Sequence, residues 1–230
     1  MRAFPFPEKR ASREELNRDL LYRKIPKEQC PAIADRAWET GAGAAREIHE
    51  LYPGCSVEEI ARLEGLRVRR VEKDNVAGQV RYFSEYYSGR KEIILYTPSI
   101  RLWARNNGLT PEEAQELILS HEVFHHLECA RLGLTSEQYK VPAFRIGRWS
   151  FGKSSIRALS EIGAHGFSRT LYELRGKLPA QEKEKNTAGR VLVNHAVNDM
   201  EFGARKKAER IFSDNPVMRM LGGKQRGDTK

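Results

Sequence analysis

Cysteine is scarce in this chain: Cys30, Cys55 and Cys129 are odd in number, widely spaced and never arranged as C-x-x-C. That pattern argues against both a disulfide framework and a thiolate zinc site, and leaves free, reduced thiols. Also missing is any apolar run near the roughly 18 residues of a membrane span. The opening MRAFPFPEKR lacks the basic-then-apolar layout of a signal peptide. The expectation is therefore a cytoplasmic protein with no membrane partner. No internal repeat is found. What is present, 40% hydrophobic residues with 9% aromatics over 230 positions, suffices for a sizeable core in a globular chain.

Charge is uneven along the sequence. Residues 1–130 hold 20 Lys+Arg against 21 Asp+Glu, a net of −1, whereas residues 131–230 hold 20 against 10, a net of +10. A basic half either faces something acidic or simply keeps the chain soluble. The cations are scattered, without aromatic interleaving or an RNA-binding signature, so direct nucleic-acid binding is not expected.

Two prolines in the first ten residues mark a loose lead-in. Ser12-Arg13-Glu14-Glu15, Ser56-Val57-Glu58-Glu59 and Thr110-Pro111-Glu112-Glu113 each have the form of a capping box, and a longer helix is expected from about Pro31 to Leu51. Gly65 supplies a left-handed stop for the helix that begins at Ser56. Between Leu66 and Thr97 the pattern changes to β-branched and aromatic segments, GLRVRRVE, GQVRYFSEYY and EIILYTPS, the last two flanking a hairpin turn at Ser88-Gly89-Arg90-Lys91. Helix returns at Thr110 and runs unbroken to Gly133. Residues 133–153 read as a loop-rich insertion, IRALSEIGAHGFSRTLYELR as a second long helix, and Val193, Val197, Met200, Ala204, Ala208 and Ile211 as the stripe of a third. The tail LGGKQRGDTK is expected to be disordered.

The segment LSHEVFHHLE, residues 119–128, holds three histidines and two glutamates. His121 and His125 are four apart, hence about 40° apart around a helix, and can grip one ion through neutral imidazoles. His126 falls about 140° from His121 and is placed on the solvated side. Glu122 projects beside the pair, where its carboxylate can take a proton from water activated by the ion. This is the H-E-x-x-H arrangement of zinc peptidases. Such a site needs a third protein ligand. Two candidates share a face of the next long helix, Glu161 and His165; Glu161 is preferred as the ligand, with His165 hydrogen-bonding behind it or to the transition state. His195 is given no site role, and any of Tyr82, Tyr86 and Tyr87 could serve an oxyanion.

The string GLRVRRV…GQVRYF…EIILYTPSIR…LILSHEVFHHLE…SEIGAHGFSRTLYEL resembles the ImmA/IrrE family of zinc metallopeptidases, over roughly residues 56–175. Glu161, Ala164 and Phe167 fall on that family's E-x-x-A-x-x-F pattern. His126, the long 133–153 segment and the lack of a helix-turn-helix module depart from it. The resemblance implies an α+β, zincin-like fold, with a small, mostly antiparallel sheet packed on the motif helix and additional C-terminal helices. The parts would be an N-terminal helical segment (1–55), a metallopeptidase core (56–178) and a basic C-terminal extension (179–230). It implies a Zn2+-dependent endopeptidase with His121, His125 and Glu161 as ligands and Glu122 as the catalytic base. Its substrate would be a protein, with a DNA-binding repressor as the candidate target. The competing expectation is a regulatory module that holds a partner without cleaving it. Substrate backbone is expected to add to an exposed edge strand; Ile93, Ile94, Leu95 and Tyr96, just before the motif helix, are the expected platform. Nothing in the sequence indicates an oligomeric state.

Overall fold

In the computed structural model, residues 7–78, 80–176 and 194–197 are described. After a short helix α1 (Ser12–Asn17), the chain forms α2 (Cys30–Leu51) and α3 (Val57–Leu63). Strands β1 (Arg67–Val71), β2 (Asn75–Ala77), β3 (Val80–Tyr87) and β4 (Glu92–Tyr96) follow. Then come α4 (Thr97–Asn107) and α5 (Pro111–Leu127), a hairpin of β5 (Lys140–Ile146) and β6 (Trp149–Ser155), and α6 (Ala158–Leu174). The architecture is mixed α+β.

Two of the expected capping boxes form. Thr110 Oγ1 accepts from the Glu113 amide at 3.1 Å while Glu113 returns the bond to the Thr110 amide at 2.8 Å, starting α5 where expected. Ser56 and Glu59 do the same for α3. Ser12 does not: Ala11 precedes α1 as its cap, and the Ser12 hydroxyl donates backwards to the Lys9 carbonyl. Gly65 adopts φ +81° and ends α3 as expected.

The sheet order is β1–β4–β3–β2, with β1 parallel to β4 and the remaining two pairings antiparallel. This order overturns one expectation. β4 is an interior strand whose residues Ile93, Ile94, Leu95 and Tyr96 pair with β1 on one side, and Ile93, Ile94 and Leu95 pair with β3 on the other. Its backbone donors and acceptors are spent inside the sheet, and Ile93 and Leu95 are fully buried, so it cannot receive a substrate strand. The reason is the parallel β1–β4 pair, a contact between segments more than 20 residues apart that strand patterning does not reveal.

Two more expectations are corrected, and one stretch left unassigned by the sequence patterns is an element: Thr97–Asn107 is α4, with Pro98 in its first turn and Gly108 at φ +64° closing it. The 133–153 segment is largely ordered as the β5–β6 hairpin. Asn194–Val197, inside the expected third helix, is a strand, β7, paired with β3; the rest of that helix and the tail lie outside the described residues.

Two apolar clusters form the interior. One joins α3, α4, α5, the sheet and the later turns of α6; the other joins α1, the start of α2, Val141, Ile156 and the first turns of α6. Helices α2 and α6 lie against each other on small residues. A Cβ on Gly41 would sit 1.8 Å from the Gly163 carbonyl oxygen, and one on Gly166 would sit 2.5 Å from that of Trp38. Helix α5 is buried on every side from Leu117 to Leu127, so its polar residues must find partners inside the protein.

Candidate metal centre

One turn of α5 brings His121 and His125 into register, and α6 carries Glu161 up to them. The two Nε2 atoms lie 3.1 Å apart. Glu161 Oε2 is 3.2 Å from His121 Nε2, and its Oε1 is 3.5 Å from His125 Nε2. Both histidines are buried and Glu161 is partly exposed. Tetrahedral ligands about 2.0–2.2 Å from an ion stand about 3.3 Å apart. The observed spacings match that figure, so this His121–His125–Glu161 cluster could hold a metal ion.

The surroundings also call for a cation. Burial pulls the His125 pKa down, but the hydrogen bond to Glu128 and the charges of Glu161, Glu128 and Glu122 outweigh it and push the value up to about 9. A positive charge, proton or metal, is favoured at this position.

Glu128, three residues after His125 and 2% exposed, is a buried partner of the cluster that reading the sequence missed. Its Oε2 lies 3.1 Å from His125 Nδ1, while Oε1 accepts from the Thr135 amide at 2.7 Å and the Ser160 hydroxyl at 2.9 Å. Burial raises its pKa, yet the bonds from His125 and Thr135 prevail and hold the carboxyl below its usual range. A carboxylate on Nδ1 aims Nε2 at the cluster. Ser160 precedes Glu161, so Glu128 also ties the two ligand-bearing helices together. The i, i+3 spacing from His125 was the available signal.

Glu122 is fully buried beside the ligands, and Ser84 of β3 donates to its Oε1 at 2.7 Å. Strand alternation points Tyr82, Ser84 and Tyr86 to the α5 side of the sheet. Tyr86 hydrogen-bonds His126 Nδ1 at 3.0 Å, and Tyr87 donates to Glu85 at 3.1 Å, so both hydroxyls are engaged away from the cluster. Tyr96, from the misplaced platform, also donates to Glu85.

His126 is corrected as well: it is 2% exposed, not solvated. Its Nε2–H donates to the Glu64 carbonyl at 3.2 Å, which leaves Nδ1 to accept from Tyr86. Burial lowers its pKa. It is a neutral strut linking α5 to α3 and β3. His165 is buried, with its ring centroid 5.2 Å from that of His121, adjacent to the three donors but outside the cluster they form.

The three cysteines are free, and among the described residues no helix is long and apolar enough to cross a membrane. In comparisons with known proteins, no family model, curated protein or solved structure matches this chain.

Proposed function

We propose that this chain is a zinc-dependent endopeptidase acting on a protein substrate. The observation that carries the reading is the convergence of three donors at tetrahedral spacing with a buried, hydroxyl-anchored glutamate, Glu122, at the position next to the first ligand. Two imidazoles and one carboxylate are a donor set suited to zinc, with a fourth position left for water. Zinc bound there would lower the pKa of a water to roughly 7 and polarise a peptide carbonyl.

The remaining steps belong to the chain's own side chains. Glu122, one oxygen held by Ser84, takes the proton of the attacking water with the other and passes it to the leaving amine as the C–N bond breaks. Glu128 keeps His125 in the tautomer that presents Nε2. His165, beside His121, is assigned a hydrogen bond to the oxyanion as charge develops there. A DNA-binding repressor remains the candidate substrate, on the resemblance alone.

Metal analysis and three substitutions test the reading. The purified protein should hold about one zinc per chain, and His121→Ala or Glu161→Ala should lose most of it. Glu122→Gln should keep zinc and fold while peptidase activity disappears. Wild-type turnover in Glu122→Gln would end the proposal; partner binding without turnover in both proteins would favour a binding module instead.

A further inference from the structure

The β5–β6 hairpin stands between the two ligand-bearing helices in sequence and takes no part in the cluster. Its base is fixed. Val141 and Ile156 are buried, and Lys24 Nζ donates to the carbonyls of Pro142 at 3.1 Å and Ala143 at 2.7 Å. Gly147, at φ +57°, opens the two-residue turn between Ile146 and Trp149.

One face of this ribbon is unusual. Phe144 pairs directly with Phe151, Pro142 pairs with Lys153, and Trp149 lies two residues before Phe151, so these five residues share a face. Phe144 is 59% exposed, Trp149 63% and Phe151 52%. They are the only aromatics among the nine large hydrophobic residues exposed in the described chain, and they fall within eight positions. Water is a poor environment for such a face, and a two-stranded ribbon gains little stability from it. Residues 140–155 also carry four cations, Lys140, Arg145, Arg148 and Lys153, and no acidic residue, with Lys140 ion-paired to Glu137 just before the ribbon. The Arg148 guanidinium lies 5.7 Å from the centre of the Trp149 ring.

We infer that this hairpin is a docking surface for a protein segment whose apolar side chains are flanked by Asp and Glu. An aromatic centre bordered by cations is the composition of a protein-binding hot spot. With no carboxylate in the ribbon itself, an acidic partner meets little like charge there, Glu137 at its base being ion-paired with Lys140. A nucleic-acid strand is the less suitable occupant. It needs cations alternating with the stacking rings to follow its phosphates, and here four of the five residues on the face are apolar. The inference rests on the peptidase reading only in naming the docked protein as substrate.

The test uses the full-length, zinc-loaded Glu122→Gln protein, so that nothing is cleaved and the result does not depend on catalysis. Fluorescence anisotropy follows a labelled 15-residue peptide of Leu and Phe flanked by Asp and Glu. A basic peptide of equal length and a 15-nucleotide oligothymidylate serve as comparisons. Saturable binding of the acidic peptide is expected, weakened about tenfold or more by Trp149→Ser and by Phe151→Ser. Arg148→Glu, which leaves the rings in place, should weaken it as well, and added salt should reduce it. The proposal is overturned if the acidic peptide does not bind, or if it binds equally well to all the variants. Tighter oligothymidylate binding that the same substitutions abolish would overturn it in favour of nucleic acid, and a dimer that Trp149→Ser dissolves would do so in favour of a second copy. In active protein, Trp149→Ser should raise KM for a substrate bearing such a segment and leave kcat unchanged. Absence of all cleavage in wild type would overturn the peptidase reading while leaving the binding result intact.

Discussion

Glu128 holds three bonds that matter to the cluster at once, to His125, to the Thr135 amide and to Ser160. Replacing it with Gln keeps the shape but removes the charge that fixes the imidazole, so zinc affinity should fall about 10- to 100-fold. Competition with a chromophoric chelator measures this, and an unchanged affinity would deny Glu128 its orienting role. Ser84→Ala addresses the base: zinc content should stay at wild-type level while kcat falls about tenfold, the weight of one charge-assisted bond. Ser84→Thr, which retains the hydroxyl, should recover part of the loss. Residue spacing brought His121 and His125 together, with Glu122 between them in sequence, because a helix repeats every 3.6 residues and the motif lies within one element. It concealed Ser84, whose contact with Glu122 spans 38 positions and depends on strand register. His126 was misplaced for a different reason: the angle was right, but a helix covered on every side has no solvated face.

Helix pairing sets how accurately Glu161 meets the histidines. Because the atoms a Cβ on Gly41 would strike are backbone atoms of α6, neither helix can yield locally, and Gly41→Ala must push α2 and α6 apart. Overpacking of this kind costs about 3 kcal/mol. The variant should melt at lower temperature and hold less zinc, since α6 carries Glu161. Gly43→Ala is the control. A Cβ there meets nothing within 4 Å, and an alanine in a helix interior gains about 0.5–1 kcal/mol over glycine, so that variant should melt slightly higher. Equal melting of the two variants would refute the close-packing account. At this scale the caps of α3 and α5 and the extents of α2 and α6 were legible, because each is written in local residues. The interior place of β4 was not, since β1 reaches it from outside the local pattern. The β5–β6 hairpin escaped notice because its strands alternate weakly and place aromatics toward solvent.

Across the whole molecule, α6 belongs to both apolar clusters, with Leu159 and Ile162 in one and Ala164 and Phe167 in the other. Glu161 stands among the α6 residues of the former cluster, while the apolar residues of α5 belong to the latter, so a cation shared with His121 and His125 should tie α5 to α6 and stabilise the fold as a bound ligand does. Without that cation, His125 keeps its proton up to about pH 9, against 6.5 for a free imidazole. The raised value stabilises the metal-free fold fully below pH 6.5, and the contribution is lost as pH rises through 9. Zinc requires the same ring unprotonated at Nε2, so its binding is opposed by protons over this window and strengthens as pH rises. The difference in stability between zinc-saturated and chelator-treated protein should therefore widen from pH 6.5 to pH 9, by up to about 3 kcal/mol. Thermal melts in both states at pH 6.5, 7.5 and 9 measure the difference. In Glu161→Ala, where one donor is gone, the two states should melt nearly together at every pH. A difference that stays constant or narrows with rising pH in the wild type would show that proton and metal do not compete for His125.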